Sequence, residues 1–239
     1  GGPLVEVVDE LVVVDGVSKK FCKDLKKSLW YGLNDIYKEL KIDSSENNRL
    51  RDDEFWAVNN ISFNLKRGEC LGLIGCNGAG KSTLLKLLNG LIKPDQGRIE
   101  IRGRVCAMIE LAAGFNPVLT GRENIFINGA MLGLSKKEIQ DKFDAIVEFS
   151  EIGEFLDTPV ASYSSGMKTR LGFSIAVQME PDVLIVDEVL AVGDIGFNAK
   201  CFNRIREIYE NTVIIFVSHS IPQIARVANK LCVLDKGNI

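Results

Sequence analysis

The chain has 239 residues, of which 46% are hydrophobic, and its formal net charge at pH 7 is −3. This length and composition suit one α/β domain with or without a subdomain, and they supply enough apolar residues for a substantial core. The acidic balance argues against nucleic acid as a partner, because phosphate backbones are bound by basic surfaces. No apolar run approaches the ~20 residues that cross a bilayer, so at a membrane another chain would supply the spans.

The first part of the chain combines strand signals with one long insertion. A β-branched run at 11–17 predicts the first strand, and residues 24–54 then change to a helical pattern followed by a polar loop. Trp30 and Tyr37 widen the apolar side of this pattern, and lysines occupy the other side. Such a helix suits contact with a membrane surface or a partner, or it packs on the domain's own core.

Beyond the insertion, strand and helix signals alternate, which predicts a parallel sheet covered by helices on both faces. We expect an α/β P-loop fold in a single domain, with a core of residues 1–111 and 181–239 and a helical subdomain at 112–180. A small antiparallel β-subdomain is expected near 57–65 and 98–107. Further expected elements are strands at 70–74, 183–186 and 212–217, a helix from Lys81 to about Leu91, and breaks at Gly133, Gly153 and Pro159.

Two features concern the thiols and the end of the chain. Six cysteines occur without a CxxC pair, mostly in apolar stretches, which predicts buried reduced thiols instead of disulfides or a metal site. The last residues, 235–239, read as a strand and turn in progress, so we expect further chain to follow.

The most specific motif is Gly75-Cys-Asn-Gly-Ala-Gly-Lys-Ser-Thr83, which matches GxxxxGK[ST] between an apolar strand and a predicted helix. Glycines let backbone N–H groups point at phosphates, and the helix N-terminus adds the positive end of a dipole. We expect Lys81 to reach the β- and γ-phosphates and Ser82 to hold Mg²⁺. The residues of this predicted phosphate loop are Gly75, Asn77, Gly78, Ala79, Gly80, Lys81, Ser82 and Thr83.

Three further polar side chains follow apolar strands, at the edge where parallel sheets bind ligands. Asp187 is expected to bind Mg²⁺, directly or through water, and Glu188 to polarise the water that attacks the γ-phosphate. His219, the only histidine, follows the last of these strands. On its own it is either a structural residue or a group that contacts the nucleotide.

Together these motifs resemble the ATP-binding-cassette (ABC) family, and the resemblance covers nearly the whole chain. Tyr163-Ser-Ser-Gly-Met-Lys-Thr-Arg-Leu171 is similar to the family's signature motif, with YSSGM in place of LSGGQ. The resemblance implies binding and hydrolysis of ATP with Mg²⁺ by a head-to-tail homodimer. In that dimer Ser165, Gly166 and Met167 would contact the ATP held by the partner's phosphate loop.

The resemblance also assigns roles at individual positions. His219 matches the switch histidine that contacts the γ-phosphate, and Ala191–Asp194 resembles the D-loop. Glu110 stands where the family usually has a glutamine that binds Mg²⁺. A glutamate can also bind the metal, but its carboxylate adds a negative charge to the site. Phe21 fits the aromatic residue that stacks on adenine, with Trp56 as the alternative.

Local sequence narrows the branch of the family. The stretches 55–63, 114–124 and 163–167 resemble the ATPases of O-antigen, capsule and teichoic-acid exporters. That resemblance implies export of a lipid-linked glycan by a peripheral subunit at the cytoplasmic face of the membrane, bound to integral-membrane permease subunits. The alternatives are the ATPase of another importer or exporter, or a soluble non-transport ABC ATPase. Two soluble classes are disfavoured. A chromosome-maintenance ATPase would need a long coiled coil between the phosphate loop and the signature motif, and a translation factor would normally carry two cassettes, whereas this sequence has one set of motifs.

Overall fold

A computed structural model describes residues 10–23, 50, 53–108, 114–187 and 195–239. These residues divide into two compact units. The larger unit takes in the described parts of 1–13, 64–74 and 100–233, and the smaller unit those of 14–63, 75–99 and 234–239. The strands are β1 Glu10–Cys22, β2 Glu54–Lys66, β3 Cys70–Gly75, β4 Gln96–Ile101, β5 Val105–Ala107, β6 Val183–Val186, β7 Val213–Val217 and β8 Lys230–Leu234.

The main sheet has the strand order β5-β6-β7-β3-β8. The pairs β5–β6, β6–β7 and β7–β3 are parallel, with Val183 opposite Val213 and Cys70 opposite Ile214. Every residue of β6 and β7 is buried, as expected for strands covered on both faces. The predicted α/β fold with a parallel sheet is therefore confirmed.

The second sheet has the order β2-β1-β4, and the prediction for its last part was wrong. The expected second segment, 98–107, is split: β4 ends at Ile101, and β5 joins the main sheet beside β6. The cause is a contact across the chain, because the backbone N–H of Arg104 donates to the carboxylate of Asp182 (2.8 Å) and Val183 N–H donates to Arg104 O (3.0 Å). These bonds pair the residues after Gly103 with β6, so they do not continue β4 in the second sheet.

Six α-helices lie wholly within the described residues: α1 Lys81–Leu88, α2 Gly121–Met131, α3 Lys136–Ser150, α4 Ser165–Gln178, α5 Ile195–Ile208 and α6 Ile221–Ile224. The breaks at Gly133, Gly153 and Pro159 fall between helices, as predicted. Helix α1 ends three residues earlier than expected because Gly90 adopts φ +70° and Leu91 N–H bonds back to Lys86 O (2.9 Å).

The helical segment from α2 to α4 owes its starts to local capping. The side chains of Thr120 and Ser135 form reciprocal capping boxes with Glu123 and Glu138, and these boxes fix where α2 and α3 begin. The buried faces of α2, α3 and α4 share one apolar core with the main sheet, which includes Ile125, Ile139, Ile146, Leu171 and Phe173.

The ends of the insertion are held together, since Lys23 N–H donates to Asp53 O (2.9 Å). The predicted amphipathic helix itself lies outside the described residues, and β2 begins at Glu54, three residues before the expected strand. None of the described helices is long and apolar enough to cross a membrane.

All six cysteines are described without a disulfide; four are buried, Cys22 is half-buried, and Cys76 is exposed, contrary to the prediction for that thiol.

Candidate functional site

The phosphate loop lies in the smaller unit, between the end of β3 at Gly75 and the start of α1 at Lys81. The side chain of Lys81 is largely buried and donates a hydrogen bond to Gly75 O at 2.5 Å. Within the loop, Ala79 N–H bonds to Cys76 O at 3.0 Å. These two bonds join the first residues of the loop to its last ones and hold the Lys81 side chain against Gly75.

Backbone geometry makes this loop suitable for phosphate. Gly80 precedes α1 with φ +104°, and a Cβ there would collide with the carbonyl oxygen of Ala57, so only glycine fits. Within the described part of the chain, no side chain caps the start of α1. The first N–H groups of the helix, together with its dipole, are therefore available to an anion.

A pocket of about 720 Å³ opens over the loop, and aromatic residues form its far side. Phe21 and Phe55 are 39% and 41% exposed, with ring centroids 6.5 Å apart, and Lys19 Nζ lies 5.9 Å from the Phe21 ring. The lining residues are Phe21, Phe55, Trp56, Ala57, Cys76, Asn77, Gly78, Gly80, Lys81, Ser82, Thr83 and Lys236.

The structure thus brings together the predicted phosphate loop and the predicted aromatic residue. Both Phe21 and its alternative Trp56 line the pocket, so the choice between them stays open. Phe55 and Lys236 were missed by the sequence reasoning. Their placement follows from backbone bonds that no local pattern encodes: Lys23 N–H to Asp53 O (2.9 Å) and Gly237 N–H to Ala79 O (2.9 Å).

Asp187 and His219 lie in the larger unit, just beyond the carboxyl ends of two inner strands of the main sheet. Strands β6 and β7 are parallel neighbours in which Val186 pairs with Phe216, and Asp187 and His219 come shortly after these residues. Asp187 is half-buried and His219 is exposed. The turn that carries His219 is ordered by Ser218, whose hydroxyl accepts a hydrogen bond from Ser220 N–H at 3.0 Å.

The signature motif occupies the start of α4 in the larger unit. Ser164 caps the helix by accepting a hydrogen bond from Met167 N–H (3.1 Å), and Ser165 is left exposed at the first turn. Tyr163, the departure from the usual leucine, is buried, and its hydroxyl donates to Phe155 O at 2.6 Å. A pocket of about 330 Å³ opens beside this helix start and is lined by both Ser164 and Gly166.

The predicted metal ligands Ser82 and Asp187, which belong to different units, each carry an oxygen donor that suits Mg²⁺. Among the described residues, no three His, Cys, Asp or Glu side chains cluster into a complete metal site. Mg²⁺ in nucleotide sites uses one or two protein oxygens together with phosphates and water, and the hydroxyl of Ser82 and the carboxylate of Asp187 are ligands of this kind. Glu110, Glu188 and the D-loop segment Ala191–Asp194 lie outside the described residues.

Comparison with known proteins agrees with these motifs. The family described as "ABC transporter" matches residues 58–191. The "O-antigen export system ATP-binding protein RfbB" of Klebsiella pneumoniae is 52% identical over 191 residues, covering 80% of this chain and 78% of that protein. The "ABC transporter protein AbcA" of Aeromonas salmonicida is 42% identical over 234 residues, covering 97% and 72%. The "Teichoic acids export ATP-binding protein TagH" of Bacillus anthracis is 43% identical over 193 residues, covering 80% of this chain but 35% of that protein.

Solved structures show the same fold at low sequence identity. The "Structure of ATP binding subunit of ABC transporter" superposes with a TM-score of 0.75 at 23% identity, covering 96% of this chain and 88% of the other. A dimeric ATP-binding cassette in a post-hydrolysis state, bound to ADP and Pi, has a TM-score of 0.73 at 19% identity, covering 95% and 96%. The chain therefore belongs to the ABC transporter family, as an ATP-binding and ATP-hydrolysing member.

Proposed function

We propose that this chain hydrolyses MgATP as one of two identical subunits that power the export of a lipid-linked polysaccharide. The observation that carries the proposal is the extended identity to the O-antigen export relatives, which spans most of both chains. The pocket over the phosphate loop supports the nucleotide part, because it combines uncapped helix N–H groups, a buried lysine and aromatic side chains.

Each proposed catalytic residue has a defined task. Lys81 offsets the charge of the β- and γ-phosphates, while the backbone of residues 75–83 donates hydrogen bonds to their oxygens. Ser82 and Asp187 would hold Mg²⁺, with Glu110 as a third oxygen ligand, and the bound ion would supply positive charge to offset that of the phosphates. Glu188 orients the attacking water and accepts its proton, and His219 contacts the γ-phosphate.

The dimer supplies the remaining contacts. Ser165, Gly166 and Met167 are proposed to bind the ATP held by the phosphate loop of the partner subunit. The exposed hydroxyl of Ser165 supports this assignment, because Ser164 already caps α4 and leaves Ser165 for a ligand. In this scheme ATP closes the homodimer, and hydrolysis allows it to reopen.

We further propose that the dimer is peripheral, at the cytoplasmic face of the membrane, and drives integral-membrane permease subunits. Nucleic acid is not expected as a partner, given the net charge of −3. The decisive experiment is to tag the full-length protein in its own host, extract it gently from membranes and identify what co-purifies. A multi-span protein with a lipid-linked sugar is the expected result. A preparation bound to ribosomes or DNA, or one without any membrane protein, would refute the export function.

A further inference from the structure

Glu151 joins three helices of the larger unit beside the signature motif. Its carboxylate accepts a hydrogen bond from Arg170 Nη1 of α4 at 2.8 Å and one from Lys200 Nζ of α5 at 3.1 Å. The Lys200 ammonium also donates to Phe149 O, at the end of α3, at 3.0 Å. One carboxylate thus connects the end of α3 to α4, which carries the signature motif, and to α5.

The two cations are also held from their other sides. The Arg170 guanidinium lies 4.8 Å from the ring centroid of Phe197, and Lys200 Nζ lies 4.7 Å from that of Phe149. These two rings are themselves in edge contact at 5.8 Å. Hydrogen bonding to Lys200 lowers the pKa of Glu151, so its carboxylate is ionised at neutral pH. The three charges therefore form a defined cluster on a packed aromatic base.

The backbone of Glu151 is unusual for its residue type. It ends α3 in the left-handed region, at φ +57°, where glycine or asparagine would fit with less strain. Its side chain is 50% exposed, and a single exposed ion pair stabilises a fold little. Because Glu180 shares this left-handed backbone, the strain alone assigns no role; what distinguishes Glu151 is that its carboxylate holds both Arg170 and Lys200.

The position of the cluster indicates what that role is. Glu151 and Arg170 line the same 330 Å³ pocket as Ser164 and Gly166 of the signature motif. Arg170 lies on α4 five residues after Ser165, so the bond from Glu151 restrains the part of the helix that presents this serine.

We infer that Glu151 is a positioning residue of the signature site: it holds Arg170 and Lys200, and thereby fixes the start of α4 for contact with the partner subunit's ATP. The inference rests on the proposed dimeric ATPase. It assigns Glu151 no contact with the nucleotide in its own chain's phosphate loop. Removing the carboxylate should therefore weaken ATP-driven association and hydrolysis while leaving ATP binding by a single chain intact.

The test uses a matched pair of substitutions, Glu151→Gly and Glu180→Gly, in the full chain. Glu180 is also left-handed, at φ +49°, just after α4, and it too forms an ion pair, with Lys142 at 3.1 Å. Both substitutions relieve the same kind of backbone strain and remove a carboxylate. Only Glu151→Gly removes the hydrogen bonds to Arg170 and Lys200. Three quantities are measured for each: the melting temperature, the affinity for a methylanthraniloyl-ATP probe in dilute protein, and ATP hydrolysis as a function of protein concentration.

For Glu151→Gly we expect an unchanged or raised melting temperature, unchanged probe affinity and hydrolysis lowered by about tenfold. The protein concentration for half-maximal hydrolysis should rise, and Glu180→Gly should match wild type throughout. Normal hydrolysis in Glu151→Gly would overturn the inference, as would an equal loss in both variants. Glu151→Gln, which keeps the backbone strain and removes only the charge, should lose hydrolysis too, and full activity in it would also overturn the inference. If wild type itself shows no hydrolysis, the proposed function fails instead.

Discussion

The side-chain nitrogen of Lys81 lies 2.5 Å from the carbonyl oxygen of Gly75, to which it donates a hydrogen bond. The first and seventh residues of the phosphate loop are therefore joined directly by this bond. Because the lysine is largely buried, its charge is already desolvated at the place where a phosphate would be neutralised. The loop is consequently organised before the nucleotide binds, which lowers the ordering cost of binding.

Replacing Lys81 with alanine should weaken ATP binding by about 30-fold or more, because it removes a largely buried charge that is expected to pair with the phosphates. Isothermal titration with ATP measures this directly. Lys86→Ala is the matched control, since Lys86 is an exposed lysine in the last turn of the same helix and should bind ATP normally. An unchanged dissociation constant in Lys81→Ala would contradict the assignment of the phosphate loop.

Much of this fold could be predicted because its signals are local. The apolar runs at β6 and β7 predict buried strands, and the structure has them. The glycines of the phosphate loop likewise predict a tight backbone turn, which the structure also shows. What could not be predicted depends on contacts distant in sequence. Strand β5 belongs to the main sheet because of the bond between Arg104 and Asp182, 78 residues apart.

The same physical limit applies to the candidate site. Phe55 reads as an ordinary strand residue, and it reaches the pocket only because β1 and β2 meet across the insertion. Glu151 belongs to no recognisable sequence motif. Its proposed role is visible only in the structure, where α3, α4 and α5 converge on its carboxylate. For Glu110 and Glu188, which lie outside the described residues, the assigned roles stay predictions.

The aromatic side of the pocket should bind the base of ATP. Phe21→Ala is expected to weaken ATP binding by about tenfold, because stacking between a base and an aromatic ring contributes on the order of 1–3 kcal/mol. Inorganic tripolyphosphate has no base, so its affinity should not change. Competition against a fluorescent ATP analogue measures both ligands.

Phe55→Ala and Trp56→Ala, tested the same way, identify which ring the base uses, since all three residues line the pocket. Phe126→Ala is a control on an aromatic residue in the helical segment, which does not line this pocket. If none of the three pocket variants separates ATP from tripolyphosphate, the base does not stack there.

Asp182 should make the fold sensitive to acid. Burial raises the pKa of its carboxyl, but hydrogen bonds from Arg104 N–H (2.8 Å) and the Arg67 guanidinium (2.5 Å) outweigh burial and lower the pKa from its ordinary value. A lowered pKa means that the folded state favours the ionised form more than the unfolded state does. The resulting stabilisation is fully present above about pH 4 and is lost as the pH falls through the folded-state pKa.

Asp182→Asn should therefore reduce the free energy of unfolding at pH 7 by about 1–2 kcal/mol and flatten its decline below pH 4. Urea unfolding at pH 7 and at several acidic pH values measures both effects. Asp157→Asn is the control, because the Asp157 side chain is 71% exposed and its pair with Arg122 should add little. An unaltered acid dependence in Asp182→Asn would show that other carboxylates govern the transition.

Glu188→Gln should separate nucleotide binding from hydrolysis. The amide keeps the size of the side chain but cannot accept a proton, so turnover is expected to fall by about 10²–10⁴-fold while ATP still binds. Because ATP would persist, the variant should remain dimeric with ATP in size-exclusion chromatography, whereas wild type should return to monomer after hydrolysis. Glu210→Gln, at an exposed glutamate outside the motifs, should hydrolyse ATP like wild type. Normal turnover in Glu188→Gln would show that Glu188 is not the general base. The assignment of ATP binding to the phosphate loop would still stand.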